Sequence, residues 1–344
     1  MKILTVIVPV YNTEKYIKRC LDSLDNKEIN DKLEVLVVSD GSKDNAINIA
    51  KEYSKRLPDT FKIIEKENGG HGSTINKGLE LATGKYFRVL DSDDWVDNVN
   101  FVEFVKRLED QDADLVVTDY SKEFIYEGKS EKIVYKNLEP NKKYIFDKFD
   151  LNILNGEYFV MATSTYKTEV LRKSNLKLME KTFYVDMQYN VVPIPYVNSF
   201  VYFDLDIYRY FIGRLDQSVN TASFVKNHLN HDKVVKYLID YYSNLTDISD
   251  TKREYIRIIL KYILFTHYSI YCIYFKKKRQ GYKLVKEFDK YLYNKNKELY
   301  DVSNISFIKI YRNLKFTPTL LVINRMKDSL IKIGRRMIRR WRKY

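Results

Sequence analysis

The chain has 344 residues, room for two domains at about 150 residues each, and its 45% apolar and 31% charged residues exclude disordered, collagen-like and multi-span membrane classes. The net charge of +13 is concentrated at one end: between Thr319 and Tyr344 nine Lys or Arg residues stand against Asp328 alone, so this segment carries +8. Cys20 and Cys272 offer neither zinc-ligand spacing nor a disulfide framework and read as buried, reduced thiols.

The opening MKILTVIVPVYN has one lysine and a short apolar run ending at Pro9, which predicts a first buried strand rather than a signal peptide and hence a cytoplasmic protein. Further β-branched runs at 33–39, 61–65, 86–90 and 115–118 alternate with amphipathic stretches at 13–24 and 44–56, the signature of βαβ units around a largely parallel sheet. Ser42, and Ser73 or Thr74, stand where side chains cap the second helix and a third that runs to Leu81. Residues 120–213 loosen into short strands at the edge of that sheet, and beyond Asn220 helical spacing takes over at 231–242, 252–275 and 281–293. His228 and His231, three apart, are expected on a solvated helix face. The expected organisation is an α/β catalytic domain over 1–218, a helical region over 219–317 and a basic amphipathic helix over 318–344.

Residues 255–275 come nearest to a membrane span, but Arg257, Lys261 and His267 interrupt them, and a charge at a bilayer centre costs about 2.5 to 3.5 kcal/mol. A packed or interfacial helix is expected instead. In the last segment Ile323, Met326, Leu330, Ile333, Met337 and Trp341 recur on one face with cations on the other, the composition of an in-plane helix on anionic lipid.

Chemistry concentrates in three places. VLVVSDGS leaves Asp40, Gly41 and Ser42 at the carboxyl end of a strand, where open α/β sheets bind ligands. YFRVLDSDDW places Asp91 and Asp93 on one side of an extended segment with Asp94 next to them; such crowded carboxylates call for a cation, and hard oxygen ligands suit Mg²⁺ or Mn²⁺ shared with substrate phosphates. The plainer reading is an acidic turn capping a helix near 99–108. Between them ENGGHGSTINKG, residues 67–78, has neither P-loop nor dinucleotide spacing, although N–H groups at its helix start, around Ser73, can hold an anion. His71 is a candidate contact to an acceptor hydroxyl. Trp95 either packs beneath the acidic turn or floors the acceptor site.

The order of these segments resembles the inverting family 2 glycosyltransferases of the GT-A fold: VIVPVYNTEKYIKRCLDSL, then VLVVSDGSKD, then ENGGHGSTINKGLELATGKYFRVLDSDDW. The resemblance is close over about the first 100 residues and thinner to about residue 220. It implies a nucleotide-diphosphate sugar donor, read as a UDP-sugar, with Pro9, Val10 and Tyr11 lining the base pocket and Asp40 accepting from the uracil imide. It further implies Asp91 at the ribose and metal, Asp93 on the divalent cation, and Asp94 beside the acceptor. FYVDMQ resembles the segment carrying the catalytic base, which assigns that role to Asp186 over Glu180, Asp204 and Asp206. YRYFIGRLDQSVN resembles a segment near the diphosphate, with Arg214, Gln217 and Ser218 as donor contacts. Ser39, Ile75 and Val185 stand where the family often has an acid, an arginine and an acid.

The expectation is therefore a metal-dependent inverting glycosyltransferase. Its acceptor would be a glycan carried on a polyprenyl diphosphate, met at the inner face of the cell membrane during synthesis of a surface polysaccharide. An inactive sugar- or partner-binding relative is the alternative. Nucleic-acid binding through the basic tail is disfavoured by its apolar stripe and by the lack of a known module, and the helices beyond Asn220 offer surfaces for a homo-oligomer.

Overall fold

The structure is a computed structural model describing residues 2–214, 217 and 220–317; Ser218 and the basic segment 318–344 lie outside the described residues. The chain forms two compact units, one running to residue 215 together with Ser249–Lys252, the other made of the remainder.

The first unit is built on a ten-stranded sheet. Its strands are β1 (Leu4–Val10), β2 (Leu33–Asp40), β3 (Phe61–Lys66), β4 (Tyr86–Val89), β5 (Trp95–Val96), β6 (Leu115–Phe124), β7 (Lys129–Ile133), β8 (Lys143–Ile145), β9 (Ser164–Lys167) and β10 (Ser199–Phe211). The path across the sheet is β3-β2-β1-β4-β9-β6-β10-β5, with β7 on β6 and β8 on β10. Strands β1, β2, β3, β4, β6 and β10 run one way; β5, β7, β8 and β9 run against them. Every residue of β1 and β2 is buried, as strands covered on both faces require.

The helices of this unit are α1 (Glu14–Leu24), α2 (Ala46–Arg56), α3 (His71–Leu81), α4 (Asn98–Glu109), α5 (Thr168–Lys173) and α6 (Asp186–Val191). In α1 the buried residues Ile17, Cys20, Leu21 and Leu24 follow the three-and-four spacing of one helical face. The chain steps outward from β1 to β2 and β3, then returns to pair β4 with the other side of β1. That reversal opens a crevice at the carboxyl ends of β1, β2 and β4. Residues 120–213 extend the same sheet on its β4 side, and β6 and β10 are longer than their local sequence suggests because each supplies the other's ladder.

The second unit holds α7 (Thr221–Lys226), α8 (His228–Ser243), α9 (Asp250–Ser269) from Arg253 onward, a π turn at Ile270–Tyr274, α10 (Lys278–Lys295), α11 (Lys297–Val302) and α12 (Ser306–Asn313). Its core includes Val235, Leu238 and Ile239 of α8, Ile259 and Ile263 of α9 and Phe288 and Leu292 of α10. The stretch Asp250–Tyr274 is long and apolar enough to cross a membrane, yet 67% of its apolar window is buried inside the protein.

The solvated face expected for His228 and His231 is not what forms. His231 is buried with its Nδ1 3.2 Å from Nδ1 of the buried His267, and the His267 ring centroid lies 3.9 Å from that of Phe288. His228 meets the rings of Tyr271 and Phe275 edge-on. Helices distant in sequence supply the covering wall, which the spacing within α8 cannot reveal. Burial pushes both imidazoles toward the neutral form, His231 down to about 3 and His267 well below its ordinary value.

Candidate functional site

At the end of β1, Pro9 and Val10 are buried while Tyr11 is 51% exposed at the mouth of the crevice. Asn12 turns the chain with φ 54°. Its N–H donates to Ser42 Oγ at 2.9 Å and its Oδ1 accepts from the Lys43 N–H at 2.9 Å. The ends of β1 and β2 are thereby tied together. Ser42 is used in this tie and does not cap α2, which starts at Ala46 behind Asn45.

Asp40, at the end of β2, is 3% exposed, and its carboxylate organises the glycine-rich turn. Oδ1 accepts from the Gly69 N–H at 2.7 Å and from Lys66 Nζ at 3.0 Å, and Oδ2 accepts from the Gly70 N–H at 2.8 Å. Burial alone would raise its pKa, but these donors and the Lys66 charge bring it below the usual carboxylate value. The N–H groups expected to hold an anion are thus directed at a carboxylate of the chain itself. Ser73 Oγ donates to the Gly70 carbonyl at 2.7 Å and accepts from Lys66 Nζ at 2.8 Å, so neither it nor Thr74 caps α3, whose N-cap is Gly70.

The glycines also let a distant segment approach. A β-carbon on Gly72 would collide with the Met179 carbonyl oxygen, and Gly70, at φ 83°, lies against Lys181. Asn76 clamps Leu178 twice, donating from Nδ2 to its carbonyl at 2.9 Å and accepting its N–H at 2.8 Å. The Lys181 N–H donates to the Gly69 carbonyl at 2.5 Å. Lys181 at φ 50° and Tyr184 at φ 67° then take left-handed backbone, which for an aromatic residue is strained and held by its surroundings. This docked, strained segment delivers Asp186 as the first residue of α6.

The acidic turn follows β4. Asp91, Asp93 and Asp94 each place an oxygen within 4.8 Å of the others. Asp94 is buried, accepting from Tyr208 Oη at 2.6 Å and from the Phe211 N–H at 2.8 Å, so it anchors the turn to β10 rather than facing open crevice. Burial and its two neighbours raise its pKa well above the ordinary carboxylate value. Asp91 and Asp93 keep 32% and 18% of their side chains exposed. Burial first, then the Asp91 charge, raises the pKa of Asp93, while Arg214 opposes the rise through an ion pair from Nη2 to Oδ2 at 2.5 Å. The cap of α4 is Asp97, which accepts from the Asn100 N–H at 3.0 Å; the acidic trio has no part in it.

His71 Nε2 lies 2.9 Å from Asp91 Oδ1. Burial works to lower its pKa, but Asp91 by charge and hydrogen bond, together with Asp186, raises it. Asp186 is raised to about 6, chiefly by burial, with His71 lowering it and Asp91 raising it. Trp95 lies half-buried on β5, with the Arg19 guanidinium 3.6 Å above its ring and Arg19 Nη2 donating to the Asp93 carbonyl at 3.1 Å. It therefore packs beneath the acidic turn.

The structure thus gathers Tyr11, Asp40, Ser73, His71, Asp91, Asp93, Asp186 and Arg214 within the first unit around one crevice. Gln217 belongs to the second unit, buried, its carbonyl accepting from Asn220 Nδ2 at 2.7 Å. Of the rival bases, Asp204 is exposed beside Arg107, and Asp206 is buried between Ser121 and Arg209. Sequence reasoning missed Lys66, Asn76, Arg19 and Tyr208. Only Lys66 carried a signal, a cation at the end of the strand next to Asp40.

Three comparisons bear on this geometry. Residues 5–173 match the family described as Glycosyl transferase family 2. EpsH of Bacillus subtilis, named as a glycosyltransferase, is 42% identical over 126 residues, which cover 37% of this chain and 36% of EpsH; the match spans about a third of that relative's length. S. aureus TarS (residues 1–349), solved in complex with UDP-GlcNAc, superposes with TM-score 0.61 at 19% identity over 91% of this chain and 92% of that one. The mannosyltransferase PcManGT of Pyrobaculum calidifontis, solved with GDP-Man and Mn²⁺, gives TM-score 0.51 at 14% identity over 91% and 86%. The shared architecture is the mixed α/β GT-A fold followed by a helical region. Residues 5–173, which carry Asp40, the glycine-rich turn and the acidic trio, are thus similar to glycosyl transferase family 2.

Proposed function

We propose that the protein transfers a sugar from a UDP-sugar to a hydroxyl of a glycan acceptor, with inversion, using Asp91 and Asp93 to hold Mn²⁺ or Mg²⁺ and Asp186 as the base. The observation that carries this reading is the convergence of the acidic trio at the carboxyl end of β4, beside the β1/β4 reversal, with Asp186 close enough to His71 and Asp91 for their charges to act on it. The UDP-GlcNAc bound by TarS and the GDP-Man bound by PcManGT support a nucleotide-sugar donor.

The donor set fits a hard divalent cation, because partly buried carboxylates that raise one another's pKa are the arrangement such an ion relieves. When bound, the ion acts as a Lewis acid on the leaving diphosphate. The chain does the rest. Tyr11 at the mouth presents an aromatic face to the base, and Asp40 fixes the glycine-rich turn that borders it. Asp186, ionised above pH about 6, takes the proton of the attacking hydroxyl, a contribution of about 10²- to 10⁴-fold. His71 holds Asp91 in place from the acceptor side. With Asp186 taking its proton, the acceptor hydroxyl attacks the anomeric carbon directly as the nucleotide diphosphate leaves, and a single displacement inverts the configuration.

The acceptor we infer is a lipid-linked glycan of a surface polysaccharide, with the enzyme peripheral at the inner membrane face. This part rests on the composition of 319–344. The whole reading is tested by measuring UDP released from UDP-sugars with Mn²⁺: turnover with one donor, lost in Asp93→Ala and in Asp186→Asn, is expected. Turnover that survives Asp93→Ala would refute the metal assignment.

A further inference from the structure

Two arginines meet the acidic turn at different atoms. Arg19 donates to the backbone carbonyl of Asp93, with its guanidinium packed between Trp95 at 3.6 Å and Phe211 at 5.2 Å. That oxygen is not a side-chain ligand, so Arg19 can hold the turn whatever occupies the carboxylates. Arg214 instead engages Asp93 Oδ2 itself, at 2.5 Å. Its guanidinium lies 4.8 Å over the ring of Tyr16 and 5.7 Å from that of Phe211, two rings that pack edge to face. Both partners of the pair are largely buried, 11% and 18% exposed, so their charges are felt strongly.

A divalent cation on Asp93 and a guanidinium on the same carboxylate repel each other in this weakly screened setting. The geometry points to an exchange: Arg214 is the built-in counter-ion of Asp93 in the free enzyme, and a divalent cation entering at Asp91 and Asp93 displaces its guanidinium. The Tyr16 and Phe211 faces keep the released cation beside the site through cation–π attraction, where it pairs with the donor diphosphate. Arg214 is thus a positioning residue that opposes the metal alone and favours the metal with its nucleotide. This inference rests on the proposed metal and donor reading.

The test is Mn²⁺ binding to the full chain without nucleotide, read from the free-Mn²⁺ electron paramagnetic resonance signal, for wild type, Arg214→Gln, Arg214→Lys and Arg19→Gln. Removing the competing charge should tighten Mn²⁺ binding by roughly tenfold in Arg214→Gln, while Arg214→Lys, which keeps a charge, stays near wild type. Arg19→Gln should not tighten it. With Mn²⁺ saturating, UDP should bind roughly tenfold more weakly to Arg214→Gln than to wild type, a reversal of sign that loss of structure would not give. Unchanged or weaker Mn²⁺ binding in Arg214→Gln would overturn the exchange, and unchanged UDP affinity would overturn the handover to the diphosphate. Asp93→Ala separates the two levels. If it leaves Mn²⁺ binding intact, the metal site falls and the exchange with it; if it abolishes binding while Arg214→Gln changes nothing, only the exchange falls.

Discussion

Asp186 works against the fold that holds it. Its carboxyl, ordinarily near 3.8, is raised to about 6, principally by burial. Between those values the native state holds a proton that the unfolded state has released, so stability declines as pH rises through the window, and at pH 7 the ionised group is a net cost. Asp186→Asn should therefore raise the melting temperature by a few degrees, corresponding to about 1 kcal/mol or more, while lowering turnover by about 10²- to 10⁴-fold. A variant that loses both stability and activity would contradict the assignment. In the wild type, turnover should fall about tenfold per unit below pH about 6 as the base takes up its proton. The acidic trio was legible in the sequence because its members are contiguous and follow a strand. Asp186 was reached only through resemblance, since a lone acid before an amphipathic stretch carries no local mark. Arg88 was not legible at all: it is fully buried on β4, donating to Thr165 Oγ1 at 2.8 Å and to the Ala162 carbonyl, and these acceptors lie far along the chain.

At the scale of elements, the docking of 178–186 onto α3 decides where Asp186, the proposed base, stands. Gly72→Ala would force the Met179 carbonyl away, an overpacking that costs about 1 to 3 kcal/mol. It should lower turnover through the position of Asp186, seen as a fall in kcat with little change in UDP affinity; an unchanged kcat would show that the docking does not set the base. Tyr208→Phe removes the donor to Asp94 Oδ2, and a buried carboxylate oxygen left unpaired costs about 1 to 3 kcal/mol. Thermal melting checks that loss. The βαβ half was readable because its strands are apolar runs and its helices repeat every three to four residues. Elements from 120 to 213 were not, because β8, β9 and β10 owe their pairing to strands far away in sequence. Ser42 misled for the same reason: a hydroxyl before a helix reads as a cap unless its partner across the sheet, here Asn12, is known, whereas Ser73 lies inside α3, which starts earlier than its sequence suggests.

Across the whole molecule, each unit carries its own response to acid. In the helical unit His231 and His267 are buried neutral, with Asp232 Oδ1 3.7 Å from His267 Nε2 and itself paired to Lys236. Their folded pKa values lie below the unfolded value of about 6.5, so their contribution is complete above that pH and is lost as pH falls beneath it, where the unfolded chain binds protons that the folded one cannot. Amide exchange in α8 and α9, corrected for intrinsic rates, should accelerate between pH 7 and pH 5; constant protection would contradict the buried pair. In the first unit the β4 turn is proposed as the metal and nucleotide site. Its most direct test is a thermal-shift panel of UDP, GDP, CDP and TDP, each with and without Mn²⁺, on wild type and Asp93→Ala. A ligand at about 100 times its dissociation constant adds roughly 2.7 kcal/mol, so stabilisation by UDP with Mn²⁺ that disappears in Asp93→Ala is the predicted result. No shift with any pair, in folded wild-type protein, would contradict the account.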